Sequence, residues 1–287
     1  MIAMGGNSIS PKSGTGRIEE QFERTREAFD GISHFIKRGY NLCINHGNGP
    51  QVGNEIMRME LTQDTVPPLP LGVCVASTQG SIGYMIQQCL QNKLREMEID
   101  REVVTLVSQV IVDKNDDSFK EPTKYIGKRY TKQEADEMTT DFGWHFKEQE
   151  EGKYRRVVPS PMPEYIMHGK SIKALVDRGT IVIASGGGGI PVYNNSLGKL
   201  EGLDAVIDKD YSAAKMGRII RAHELWIITD VDAVYENFGS SNQKRVSSMT
   251  KKEAEKLYNE GLFQKGSIAP KVRAAIHFLK HHGNKVI

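Results

Sequence analysis

Apolar positions recur along this chain with two alternating periods. Ile18, Phe22, Phe29, Ile32, Phe35 and Ile36 lie at helical spacing, and Gly39 stands where a helix C-cap belongs. Tyr40 to Asn45 is a strand-like run that ends in His46-Gly47-Asn48-Gly49-Pro50. Ile82, Met85, Ile86, Cys89, Leu90 and Leu94 predict a second amphipathic helix, and Val103 to Val112, rich in β-branched residues, predicts one strand. Lys170 to Arg178 reads as a helix closed by Gly179, followed by the strand Thr180 to Ala184. Leu225 to Thr229 is another buried strand. Thr250 and Glu253 form a capping box for a helix ending at Gly261. Pro270 and Gly283 are placed to open and close a final helix.

Strands that alternate with helices imply an α/β fold with a mostly parallel sheet covered on both faces. One stretch breaks the alternation. From Asp113 to about Ser160 the chain is polar, aromatic and charged, with a capping box at Thr131 and Glu134 and a basic cluster at Tyr154-Arg155-Arg156. A structureless loop of that length is uncommon in a compact domain. The expected organisation is therefore a core of residues 1–112 and 161–287, with a lid-like subdomain inserted at 113–160. No internal repeat is visible. Met1 to Met4 and Lys285 to Ile287 read as pieces of strand, so both ends are expected to be cut.

Composition narrows the function classes. The 38 Lys and Arg against 36 Asp and Glu give a net charge of +2, which argues against nucleic acid as the main partner. Hydrophobic residues at 38% and charged residues at 26% are the balance of an ordinary globular protein. No apolar run approaches the ~20 residues of a bilayer span, and no basic-then-apolar leader is seen. The three cysteines, Cys43, Cys74 and Cys89, have no metal spacing and read as small buried hydrophobes of a cytoplasmic protein.

Glycine, at 28 of 287 residues, is above the usual share of about 7% and is clustered. The clusters are Gly5-Gly6-Asn7, Gly47-Asn48-Gly49-Pro50, Gly186 to Gly189, and Gly266-Ser267. Ligands of open parallel sheets bind where the strands end, and glycine lets backbone N–H groups approach an anion closely. A polyanion site is the reading that accounts for these turns together; structural turns alone are the alternative. No G-x-x-x-x-G-K-[ST] or G-x-G-x-x-G pattern occurs, and Ser185 lacks the G-x-S-x-G elbow. Positive charge for phosphate must then come from Lys209, in Val206-Ile207-Asp208-Lys209-Asp210, and from Lys271. Asp208 and Asp210 could orient lysines or meet Mg²⁺, a surface salt-bridge cluster being the alternative. His46 reads as structural rather than as a base, and the pair His281-His282 carries no assigned function.

These segments resemble the carbamate kinases, within the amino acid kinase superfamily. The resemblance rests on Met4 to Asn7, His46 to Gly53, Ser77 to Tyr84, Pro122 to Lys124, Arg155 to Pro161, Gly186 to Pro191, Ala205 to Asp210, and Gly266 to Lys271, in order over nearly the whole chain. It implies a three-layer αβα sandwich with a protruding subdomain and a homodimer. The implied reaction is ATP plus carbamate giving ADP plus carbamoyl phosphate, with Mg²⁺ on the nucleotide, often run backward to make ATP in fermentative arginine breakdown.

The resemblance also implies roles. Gly5, Gly6, Asn7, Gly47, Asn48 and Gly49 would surround the transferred phosphoryl and the carbamate, and Gly186, Gly187, Gly188 and Gly189 would close the carbamate side. Lys209 and Lys271 would neutralise phosphate charge, with Asp210 holding them. Lys124 would reach the carbamoyl phosphate as part of a lid. Asp230, Phe238, Ile268 and Ala269 would border the nucleotide. Departures from the family pattern fall at Tyr125 in place of a proline, at Lys128-Arg129, at Glu150 to Arg155, and at Phe238 in place of a frequent tyrosine. The alternatives are another amino acid kinase with a different carboxylate substrate, and a non-catalytic relative that binds nucleotide or carbamoyl phosphate.

Overall fold

The two alternating periods resolve into a layered α/β architecture. A computed structural model describes residues 1–10, 14–229, 231, 233–263, 268–281 and 283–287. Its main sheet runs in the order β15 (Lys285–Val286), β12 (Glu224–Ile228), β1 (Ile2–Met4), β2 (Cys43–His46), β9 (Ile181–Ala184), β3 (Val103–Leu106), and every adjacent pair is parallel. Alternate strand residues face opposite layers, as the pleat requires. Ile2, Met4, Ile44, Ile181 and Ile183 pack on α2 (Ile18–Lys37) and α4 (Leu71–Glu96) through Phe29, Ile32, Ile82, Ile86 and Leu90. Ala3, Cys43, Val182 and Ala184 pack on α6 (Gly169–Asp177), α7 (Lys209–Ile219) and α9 (Ile268–Leu279) through Ile172, Val176, Met216 and Phe278. This is the expected three-layer sandwich. Phe29 and Phe278 are fully buried, each worth about 1.5–3 kcal/mol of apolar transfer.

The expected single strand from Val103 to Val112 is two. Its second half, β4 (Gln109–Val112), leaves the main sheet for a mixed sheet with β8 (Pro163–Ile166), β10 (Ile190–Asn194) and β11 (Leu200–Gly202). The break is at Ser108, whose backbone N–H donates to Gln79 Oε1 at 2.7 Å while Gln79 Nε2 donates to its carbonyl at 3.3 Å. A side chain from α4 thus takes the Ser108 N–H, while the Ser108 carbonyl also accepts from the Ile190 N–H of β10 at 2.9 Å. Helix α4 also starts at Leu71, well before Ile82. Its first turns bury Leu71, Cys74 and Val75 against a separate cluster with Val52, Ile56, Ile126, Val158 and Val206.

Between the second sheet's strands, β5 (Lys124–Tyr130), β7 (Lys153–Val158) and β6 (His145–Glu150) form an antiparallel sheet carrying α5 (Lys132–Phe142). The Thr131–Glu134 capping box opens α5, and the Thr250–Glu253 box opens α8 (Lys251–Asn259). The hairpin β13 (Val234–Glu236) and β14 (Lys244–Val246) lies with α8 and α9 around Phe263, Ile268, Val272 and Ile276. The remaining helices, α1 (Gly6–Ile9) and α3 (Gly49–Thr62), follow β1 and β2 directly. Among the described residues no helix is long and apolar enough to cross a membrane. All three cysteines are free and buried, and burial pushes the Cys43 thiol up to about 12.

Candidate phosphate-binding site

Strands β1, β2, β9 and β12 all end on one edge of the main sheet, and the glycine turns begin there. Gly5 N–H donates to Ile228 O at 2.9 Å and Gly47 N–H to Met4 O at 2.9 Å, so each turn is a continuation of the ladder. The first two turns touch: a Cβ on Gly47 would stand 2.9 Å from the Gly6 nitrogen. After β9, Ser185 adopts a left-handed φ of 55°, and Gly186–Gly188 form a single 3₁₀ turn. Gly188 has φ of +91°, and a Cβ there would stand 2.2 Å from Ile207 O. No side chain fits that position, in conformation or in space. A Cβ on Gly187 would meet the Asn48 amide at 2.3 Å, so the second and third turns also adjoin.

Polar side chains hold these turns from behind. Asn48 Nδ2 donates to Thr78 Oγ1 at 2.9 Å, and Thr78 donates to Val75 O at 2.7 Å. Ser185 N–H donates to Ser108 Oγ at 3.0 Å, and Ser212 Oγ donates to Gly188 O at 2.5 Å. Asn45, buried in β2, bridges the carbonyls of Ser185 at 3.2 Å and Lys209 at 3.1 Å. Sequence reasoning assigned no role to Asn45, Gln79, Ser108 or Ser212. The one signal was the Asn45 amide inside the buried strand Cys43–His46.

The lysines arrive from three distant parts of the chain. Asp208 caps α7, accepting from the Asp210 N–H at 2.9 Å, and its other oxygen accepts from Lys124 Nζ at 2.8 Å. Lys209 Nζ donates to Asp210 Oδ1 at 2.5 Å, and Lys271 Nζ donates to Asp210 Oδ2 at 3.0 Å. Asp210 is only 3% exposed. Burial lowers the Lys209 pKa, against the opposing pull of Asp210. Burial alone would raise the Asp208 carboxyl, but the Lys124 ion pair and the Asp210 N–H hold it below its usual range. Both aspartates therefore orient lysines. His46 is buried, shares Nδ1 with Gly47 O at 3.0 Å, and is lowered to about 4 chiefly by desolvation. A neutral, enclosed imidazole of that kind supports packing against Gly186 rather than proton transfer.

The structure thus gathers Gly5, Gly6, Gly47, Asn48, Gly49, Gly186–Gly189, Lys124, Lys209, Asp210 and Lys271 at one edge. Phe238 lies apart on the β13–β14 turn, half exposed, its ring 5.8 Å from that of Tyr235. Ile268 and Ala269 open α9, the helix that carries Lys271, with Ile268 buried against Phe263 and Val272. Asp230, Gly266, Ser267, His282 and the side chain of Asn7 lie outside the described residues.

The model of the amino acid kinase family matches residues 1–287. The carbamate kinase of Pyrococcus horikoshii is 42% identical over 289 residues, covering 100% of this chain and 92% of that protein. The carbamate kinase of Clostridium perfringens is 43% identical over 289 residues, with the same coverage of 100% and 92%. Among solved structures, carbamate kinase from Giardia lamblia bound to AMP-PNP superposes with a TM-score of 0.92 at 35% identity, over 99% of this chain and 91% of that one.

Proposed function

This chain belongs to the amino acid kinase family and, within it, to the carbamate kinases, and we propose that it interconverts ATP plus carbamate with ADP plus carbamoyl phosphate at the glycine-lined sheet edge. The observation that carries the siting is the pairing of Lys209 and Lys271 on the one buried carboxylate of Asp210, beside three adjoining glycine turns. The Giardia lamblia relative, solved bound to AMP-PNP, supports nucleotide binding by this chain.

Phosphoryl transfer passes through a loose, in-line transition state, so positioning and positive charge supply most of the catalysis. In this reading Lys209 and Lys271 follow the charge of the migrating phosphoryl while Asp210 fixes where their ammonium groups start. The backbone N–H groups of the Gly5, Gly47 and Gly187 turns take the remaining phosphoryl and carbamate oxygens, aided by the positive end of α3. Carbamate is already an anionic nucleophile and needs no general base, which agrees with the buried, neutral His46. Asp208 and Asp210 turn their oxygens to lysines and, for Asp208, also to a backbone N–H, so an Mg²⁺ ion would accompany the phosphates of the nucleotide and would supply charge neutralisation there. Phe238, Ile268 and Ala269, with Asp230 outside the described residues, would border the nucleotide. Segment 113–160 acts as a lid whose Lys124 reaches the carbamoyl phosphate and excludes water. We further read the enzyme as a cytoplasmic homodimer that makes ATP from carbamoyl phosphate in arginine breakdown. The two alternatives, a different carboxylate substrate and a binding-only relative, gain no supporting observation.

The test is ATP formation from ADP, Mg²⁺ and carbamoyl phosphate, with Lys209→Ala as control. Turnover in the parent, and a kcat lower by about 10²-fold or more with modest KM change in the variant, are expected for a contact that strengthens in the transition state. An effect confined to KM would mean that Lys209 only binds nucleotide, and no ATP with ADP still bound would refute the activity.

A further inference from the structure

A cavity of about 210 Å³ lies where segment 124–158 meets the core, and none of the phosphate-site residues lines it. Its apolar wall is formed by Ile56 and Met59 of α3, Leu69 ahead of α4, and Trp144. Two charged side chains of opposite sign complete it, Arg156 on β7 and Asp204 on the segment before α7.

Arg156 is 5% exposed, and its guanidinium stacks 3.8 Å from the centre of the Trp144 ring. That contact serves the flat face and leaves the N–H edge unserved. Its Nε is buried without a partner, and among the described residues the guanidinium forms no hydrogen bond or ion pair. Burial lowers its pKa, partly offset by the nearby Asp204, but a guanidinium stays charged. Asp204 accepts from the Leu71 N–H at 3.2 Å and, among the described residues, forms no ion pair either. A buried guanidinium N–H kept without an acceptor is costly unless something else supplies one.

We propose that this cavity binds an apolar α-amino acid of valine to methionine size. Its carboxylate takes the open edge of Arg156, its ammonium takes Asp204, and its side chain lies against Ile56, Met59, Leu69 and Trp144. A zwitterion matches two opposite charges that line one space without pairing, and an alkyl group matches the apolar wall. One side of the cavity is core and the other is the segment carrying Lys124, so an occupant joins the two.

Titration calorimetry on the intact protein tests this with L-leucine, 4-methylpentanoate (no ammonium) and 3-methylbutylamine (no carboxylate). Saturable leucine binding is expected, weakened about tenfold or more in either half-molecule and in Arg156→Gln or Asp204→Asn, since each removes one charge-assisted hydrogen bond. Asp204→Asn keeps the acceptor for Leu71, so it remains informative if Arg156→Gln does not fold. No saturable leucine binding, equal affinity in Asp204→Asn, equal affinity for 4-methylpentanoate, or competition between leucine and ADP would each overturn the proposal.

Discussion

Asp210→Asn separates positioning from binding at the phosphate site. Asp210 meets Lys209 at 2.5 Å and Lys271 at 3.0 Å, with side-chain exposures of 4%, 13% and 20%. At an effective dielectric near 20, each contact carries on the order of 6 kcal/mol of attraction before desolvation is subtracted. Removing one partner of such a buried pair destabilises by about 3–5 kcal/mol. Asparagine offers one acceptor oxygen where the carboxylate offers two, so one lysine faces an N–H group instead. Melting of the ligand-free variant should therefore fall clearly, and ADP should restore much of it by supplying the missing negative charge. The site gains one unit of positive charge, so KM for ADP should stay level or fall. Yet kcat should drop by about 10²-fold or more, because the ammonium groups no longer start from a fixed place. Steady-state ATP synthesis by a luminescence assay, alongside melting with and without ADP, reads all three. A variant with kcat within threefold of the parent, or with a tenfold higher KM and unchanged kcat, would show that Asp210 does not position the two lysines for transfer.

Lys124→Ala should lower kcat by about tenfold or more at nearly constant ADP affinity, because Lys124 is held by Asp208 at the edge rather than at the nucleotide side; equal loss of both would remove the lid role. Gly188→Ala should destabilise by more than the ~1 kcal/mol of a left-handed φ alone, since its Cβ would stand 2.2 Å from Ile207 O; a melting temperature unchanged within a degree would contradict this. His46 is held near 4 against 6.5 when unfolded, so only the unfolded chain gains that proton as pH falls through this window. Stability should drop by up to about 3 kcal/mol between pH 6.5 and 4, with a flatter denaturation profile in His46→Gln.

The alternation of strands and helices was legible because each element carries its own period and its own caps. The glycine turns and the pair Lys209 and Asp210 were legible because they are contiguous in sequence. What was hidden depends on distance along the chain. Gln79 breaks the run from Val103 to Val112 from 29 residues away, and Lys124 finds Asp208 across 84. Asn45 acts on Lys209 across 164 residues. Nothing local distinguishes a buried asparagine with two carbonyl partners from one in a turn. The cavity beside Arg156 belongs to the same class, since its charged members are drawn from β7 and from the segment before α7.

The order of strands in the main sheet also sets an order in time. Strand β1 lies between β2, which follows it within about forty residues, and β12, whose Trp226 to Ile228 pair with Ile2 to Met4. At roughly 5–20 residues per second of synthesis, one edge of β1 waits about 10–45 s for its partner. Until then the apolar strand Ile-Ala-Met presents an unpaired edge on the nascent chain. During synthesis, the centre of the sheet can therefore be completed only once β12 has emerged. A chain stalled before residue 224 should accordingly depend on chaperones, although its first half already holds most of the layer formed by α2 and α4.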